Sequence, residues 1–149
     1  MIDAASLLTT IPHHPPFLFV DEVVSVSNET IRTRTRVRPD ADFFRGHYPG
    51  NPVMPGVLLC ECCFQSGAML MAYRRGGWNA ADGIPVLTKI VDARFRRIVT
   101  PGERLETEVS LNDEVDRAFY MTGKITVADQ PVLRVSFTCM LAINEGRLS

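Results

Sequence analysis

Hydrophobic and polar residues alternate with a period of two through much of the C-terminal half of the chain. The stretches RLETEVSL, AFYMTGKITV and VLRVSFTCMLAI each put apolar side chains on one face and polar ones on the other, the pattern of half-buried strands. Strands are predicted over about 85–98, 104–115, 117–128 and 131–143, with connections short enough for antiparallel meanders. A similar alternation marks residues 30–38, where Arg32, Arg34, Arg36 and Arg38 share one side and Ile31, Thr33, Thr35 and Val37 the other. The apolar, β-branched run from Phe19 to Ser27 predicts its hairpin partner, with Asn28–Glu29 at the turn.

The period changes in the middle of the chain. From Val57 to about Arg75 the residues are good helix formers and apolar nearly all round, so this helix should be enclosed and not lie on a surface. Gly56 stands at or near its start and Gly76–Gly77 ends it. Residues 39–56, with Pro39, Pro49, Pro52 and Pro55 among glycines, form a punctuated loop, and residues 3–8 form one helical turn. The Pro-rich IPHHPPF is extended or turned. These elements alone give an α+β fold with an antiparallel sheet.

Length and composition narrow the class. A chain of 149 residues suits one domain, spanning 1–149, and can bury a core without staples. Net charge is −1, with 46% hydrophobic and 22% charged residues, so no nucleic-acid or membrane-surface partner is indicated. The N-terminus lacks the regions of a signal peptide, and Pro55, Glu61, Gln65 and Ser66 interrupt the longest apolar stretch, so a cytoplasmic location is expected. Cys60, Cys62, Cys63 and Cys139 lack the paired spacing of a structural zinc site and read as reduced, buried apolar residues.

Candidate chemistry concentrates in FFRGHYPGNPVMPGVLLCECCFQSG, residues 43–67. His47 lies between glycines and prolines, where a stiff backbone can present an imidazole to a cavity as a general base. Glu61 lies one turn into a helix expected to be buried. Desolvation should raise its pKa toward neutrality and make it a proton donor. Gln65, four residues on, shares its face and can orient the carboxyl group. The unpaired N–H groups at the helix start, with Gly56 permitting close approach, could receive a thioester oxygen. Base, acid and N–H donor together suit abstraction of a proton α to a carbonyl with loss of a β-hydroxyl. Alone, a structural histidine, a satisfied buried glutamate and a plain helix start remain open for each.

The motif FFRGHYPGNPVMPGVLLCE resembles the signature of FabZ-type β-hydroxyacyl-acyl-carrier-protein dehydratases. IPHHPPFLFVDEV and ARFRRIVTPGERL resemble further segments of that family, so the resemblance covers about residues 11–142. It implies a hot-dog fold, a long central helix wrapped by a twisted antiparallel sheet. It implies dehydration of a (3R)-3-hydroxyacyl chain on acyl carrier protein, in fatty acid synthesis, to the trans-2-enoyl product. His47 would be the catalytic base, Glu61 the acid, Gly56 the thioester donor and Gln65 the support of the carboxylate. No metal or organic cofactor is implied. A homodimer with active sites at the subunit interface is implied, possible further assembly being a trimer of dimers. The FabA-type relatives, which also isomerise the double bond, carry aspartate where this chain has Glu61, which points to dehydration without isomerisation.

The chain departs from the family pattern at Tyr48, His14–Pro15–Pro16 and Cys62–Cys63–Phe64, which bears on acyl-chain length more than on chemistry. The same dehydration in a polyketide, polyene or unusual-lipid pathway, a hot-dog thioester hydrolase and a non-catalytic acyl-binding subunit are the competing functions. Arg94, Arg96 and Arg97, with Arg74 and Arg75, form a candidate docking set for an acidic carrier protein. Arg32 to Arg38 read as a solvated strand face. Trp78 is expected to pack or form a rim, and His13 to be structural.

Overall fold

In the computed structural model, which describes residues 2–78 and 81–143, six strands form one antiparallel sheet around a single long helix. The single-domain span of 1–149 also takes in residues outside those described. In chain order the elements are β1 (Glu22–Val26), β2 (Thr30–Arg36), α1 (Gly56–Arg74), β3 (Ile84–Phe95), β4 (Arg104–Val115), β5 (Ala118–Val127) and β6 (Gln130–Ala142). Short 3-10 turns occupy Ala5–Thr9 and Asp42–Arg45. The second lies in the segment expected to be irregular, where Phe44 is buried and anchors the turn.

The strand order is β1-β2-β4-β5-β6-β3. Only β4, β5 and β6 form the expected meander. β3 lies at the far edge beside β6, so the chain crosses the sheet between β3 and β4. Periodicity cannot reveal this, because it reports which face a residue occupies and not which strand lies next to it.

Helix α1 lies in the concave face of the sheet, the hot-dog arrangement. It is long and apolar enough to cross a membrane by composition, yet it is mostly buried, as the core helix of a globular protein is. Two glycines make the approach close. A Cβ on Gly123 of β5 would stand 2.7 Å from Cys63 Sγ, and one on Gly67 would stand 3.1 Å from Met121 and Phe137. The cysteines thus act as small core residues, and burial raises all their thiols, Cys62 and Cys139 to about 12. Gly76, with φ of +69°, turns the chain out of the helix.

The outer face of the sheet is polar, and much of its charge is paired across strands. Arg32 opposes Glu108 in register and Arg34 opposes Glu106, with contacts of 2.8 Å in each pair. The arginine alternation on β2 therefore encodes a cross-strand ladder as well as a solvated face.

Candidate active site

His47 belongs to a turn that follows the Asp42–Arg45 helix. Its Nδ1–H donates to the Val53 carbonyl at 2.8 Å. A carbonyl can only accept, so this bond places the proton on Nδ1 and leaves Nε2 as a free lone pair, the tautomer a general base requires. Next to it, Tyr48 holds the left-handed φ of +52°, a conformation that strains a bulky residue, and its ring meets the imidazole edge-on at 4.5 Å between centroids. Tyr48 itself is exposed.

Glu61 lies on the second turn of α1, and its side chain is only 20% exposed. Burial pushes its carboxyl group above the ordinary 4.5, while the bond from Gln65 and the nearness of His13 pull the other way. Gln65 is fully enclosed. Its Nε2–H₂ group donates to Glu61 Oε2 at 2.9 Å and to the Phe17 carbonyl at 2.9 Å, and its Oε1 accepts from the Phe19 N–H at 2.8 Å. One amide thereby orients the carboxyl group and ties the N-terminal loop to the helix. The spacing of Gln65 from Glu61 was legible in the sequence; the two backbone partners were not.

Gly56 opens α1. No side chain caps the helix start, and the first-turn bonds to the Pro55 carbonyl begin only at Leu58, at 3.0 Å. A Cβ on Gly56 would stand 2.9 Å from Phe95 Cε1, so the glycine also admits the Phe95 ring against the helix. That packing role was not apparent from the sequence.

Within the chain, no hydrogen bond or ion pair joins His47 to Glu61. The structure brings Glu61, Gln65 and His13 together, whereas His47 bonds the Val53 carbonyl. His13 Nε2 lies 3.7 Å from Glu61 Oε2, a contact that sequence reasoning passed over in favour of a structural role. A cavity of 570 Å³ opens between the N-terminal loop and the segment after β2, lined by Phe17, Phe19, Phe43, Met54 and Leu58, but neither His47 nor Glu61 lines it. Among the described residues, no three His, Cys, Asp or Glu side chains gather as metal ligands.

Much of the candidate docking set is engaged internally. Arg97 makes a two-point pair with Glu103 at 2.6 and 3.1 Å, Arg74 binds Glu114 and the Asn28 carbonyl, and Arg75 covers the Phe119 ring. Arg94 and Arg96 are exposed. Trp78 is partly buried against the core, in line with a packing role.

Residues 11–136 match the family model of the FabA-like domain. The chain is 38% identical over 146 residues to the 3-hydroxyacyl-[acyl-carrier-protein] dehydratase FabZ of Anaeromyxobacter sp. (strain K), spanning 97% of this chain and 94% of that one. It is 37% identical to the Fusobacterium nucleatum enzyme of the same name, spanning 95% and 99%. Among solved structures, the dehydratase heterocomplex ApeI:P from Xenorhabdus doucetiae is similar with a TM-score of 0.78 at 16% identity, covering 98% of this chain and 95% of that one. A hypothetical thioesterase from Streptococcus pneumoniae bound to coenzyme A is similar at 0.62 and 15% identity, covering 81% and 84%. At such identities these structures bear on the fold alone, and both share the helix-in-sheet arrangement seen here. The near full-length match to the sequence relatives goes further: this chain belongs to the FabA-like domain family and, within it, to the FabZ-type dehydratases.

Proposed function

We propose that this protein removes water from a (3R)-3-hydroxyacyl chain carried on acyl carrier protein, giving the trans-2-enoyl thioester of fatty acid synthesis, with His47 as base and Glu61 as acid. The observation that carries the reading is the complementary state of the two groups. His47 has its proton fixed on Nδ1 and Nε2 free, whereas Glu61 is a partly buried carboxyl group biased toward its protonated form. Nε2 removes the C2 proton, which the thioester carbonyl acidifies while the Gly56 N–H receives its oxygen. The C3–O bond breaks as Glu61 protonates the hydroxyl, and C2=C3 forms as water leaves. His47 then carries the extra proton and Glu61 is ionised, and proton return from one to the other through water resets the site.

The lack of a direct contact between the two groups in one chain favours a homodimer whose sites lie at the interface. Edge strand β3 is twelve residues long and exposes Ile84, Leu87, Ile90, Val91 and Phe95. An unpaired apolar edge of that length calls for a covering partner. By contrast, the other edge strand, β1, has only five residues, a short edge that needs none.

For the carrier protein, a basic row lies on the outer face of the sheet, its Arg94 end also paired with Asp92 at 3.2 Å. In register across three strands stand Lys124, Arg134 and Arg94, with Arg96 close by in sequence. Adjacent like charges destabilise a sheet, so this row suits an acidic partner. Catalysis on such a carrier goes with a cytoplasmic location and needs no cofactor.

The test follows the enoyl-thioester absorbance while purified protein is mixed with crotonyl and 3-hydroxybutyryl carrier-protein thioesters. Reversible interconversion, lost in His47→Ala and in Glu61→Gln, is expected. Release of thiol without interconversion would move the protein to the thioester hydrolases. Mixing the two inactive variants tests the composite site. Random re-pairing of subunits leaves one intact site in half of the dimers, so about a quarter of the parental activity returns if the site spans the interface, and none if it does not.

A further inference from the structure

The environment of His13 is unusual for a structural histidine. Its Nδ1 is buried and has no hydrogen-bond partner, and its Nε2 faces Glu61 Oε2 at 3.7 Å. That carboxyl group is the charged partner the ring faces. A ring kept only for packing gains nothing from a buried nitrogen without a partner, and phenylalanine would fill the same space at less desolvation cost. His47 offers the contrast, since its Nδ1 is satisfied by the Val53 carbonyl.

The ring is also held in place. It stacks on Phe17 at 6.3 Å and 23°, and Phe17 packs edge-on against Phe19 at 4.9 Å. The backbone of both phenylalanines is tied to Gln65, the residue that also bonds Glu61 Oε2. Gln65 and His13 therefore approach the same carboxylate oxygen from two elements, and the amide fixes the loop that carries the imidazole.

We propose that His13 is a positioning residue for Glu61: with its proton on Nε2 it closes on Oε2 in the reacting complex and, with Gln65, receives the negative charge that the carboxyl group acquires on protonating the leaving hydroxyl. Catalytic hydrogen bonds are often long in a free enzyme and tighten when substrate binds, so 3.7 Å is within the reach of a small ring rotation. No bond is made or broken at His13. The proton passes from Glu61 to the hydroxyl, and the imidazole and amide N–H groups stabilise what remains. The proposal rests on the reading of Glu61 as the acid.

The other titratable groups that feel Glu61 are the thiols of Cys60 and Cys62 on α1 and of Cys139 on β6. All three are raised, so they carry no charge at working pH and leave the balance to His13 and Gln65. A donor that favours the ionised carboxyl group lowers its pKa, so removing His13 should raise it.

The experiment uses the full chain with His13→Phe, which keeps the stacking, and His13→Gln, which keeps a donor. The Glu61 carboxyl is titrated by ¹³C NMR in protein labelled at glutamate, and kcat and KM are measured across pH. In His13→Phe the Glu61 midpoint and the basic limb of kcat should both move up by about one pH unit. At low pH kcat should fall by about tenfold, the order of one charge-assisted hydrogen bond, with KM little changed. His13→Gln should recover most of the rate. An unmoved Glu61 midpoint in folded His13→Phe, or an equal loss of kcat at every pH with no recovery in His13→Gln, overturns the role of His13. If instead Glu61→Gln keeps the parental rate, the acid assignment fails, and the NMR titration still reports separately whether His13 acts on that carboxyl group.

Discussion

His47 and Glu61 are close in the chain and stand in opposite physical circumstances. His47 hangs from one local hydrogen bond, on a turn whose next residue is strained and exposed. Glu61 is seated on the core helix, with a buried amide on its carboxyl group and an N-terminal loop folded over it. In the proposed mechanism Glu61 is the acid, and a partly dry, rigid seat on the helix, which raises its carboxyl group above the ordinary range, suits that role. In the same mechanism His47 is the base, and a ring whose Nδ1 is held by the Val53 carbonyl keeps its Nε2 lone pair for that role.

The largest effect should come from attacking both ends of this contrast. Glu61→Gln and His47→Ala should each reduce kcat by about 10²–10⁴, the usual worth of a general acid or base, while leaving the circular dichroism spectrum unchanged. The same Glu61→Gln variant separates the two environments by stability. Because burial raises the Glu61 carboxyl above 4.5, the folded state holds its proton to higher pH than the unfolded chain does. The folded form therefore loses stability as pH rises through that window. Denaturant midpoints should show Glu61→Gln gaining on the parent from about pH 4 upward, and a difference independent of pH would remove the buried-acid description.

Next in size is the seat itself. Gln65→Ala leaves the Phe17 carbonyl and the Phe19 N–H without partners and should lower unfolding free energy by about 2–4 kcal/mol, read from urea titration. Gly123→Ala drives a methyl group into Cys63 and should cost about 1–3 kcal/mol through overpacking. A double variant with Cys63→Ala should recover part of that loss. At the small end, Arg32→Ala breaks an exposed pair with Glu108 and should change stability by under about 1 kcal/mol, less still in high salt.

Much of this molecule was legible before its structure. The strands at 104–115 and 131–143, the enclosed helix and the hairpin at Asn28–Glu29 follow from periodicity and turn residues. The order of the strands does not. β3 reads like its neighbours, yet only the fold puts it at the open edge, with its apolar residues exposed. The cysteines read as small core residues, which they are, but their fit against Gly123 depends on a helix-to-sheet distance that no local pattern encodes.

The site divides along the same line. By itself the sequence singled out His47, Glu61 and Gln65 as the candidate residues, because residue type, spacing and motif are local properties. Gly56 was also legible as a helix start, though its contact with Phe95 was not. Tertiary structure alone decided which nitrogen of His47 carries the proton, that Gln65 clamps the Phe17–Phe19 backbone, and that His13 faces Glu61 across the fold. It also decided that Arg97 and Arg74 are engaged internally while Lys124, Arg134 and Arg94 line up on the outer face. The physical reason is common to all of these. Hydrogen-bond partners and charge neighbours are set by distances between elements far apart in the chain, and those distances exist only once the sheet has closed around the helix.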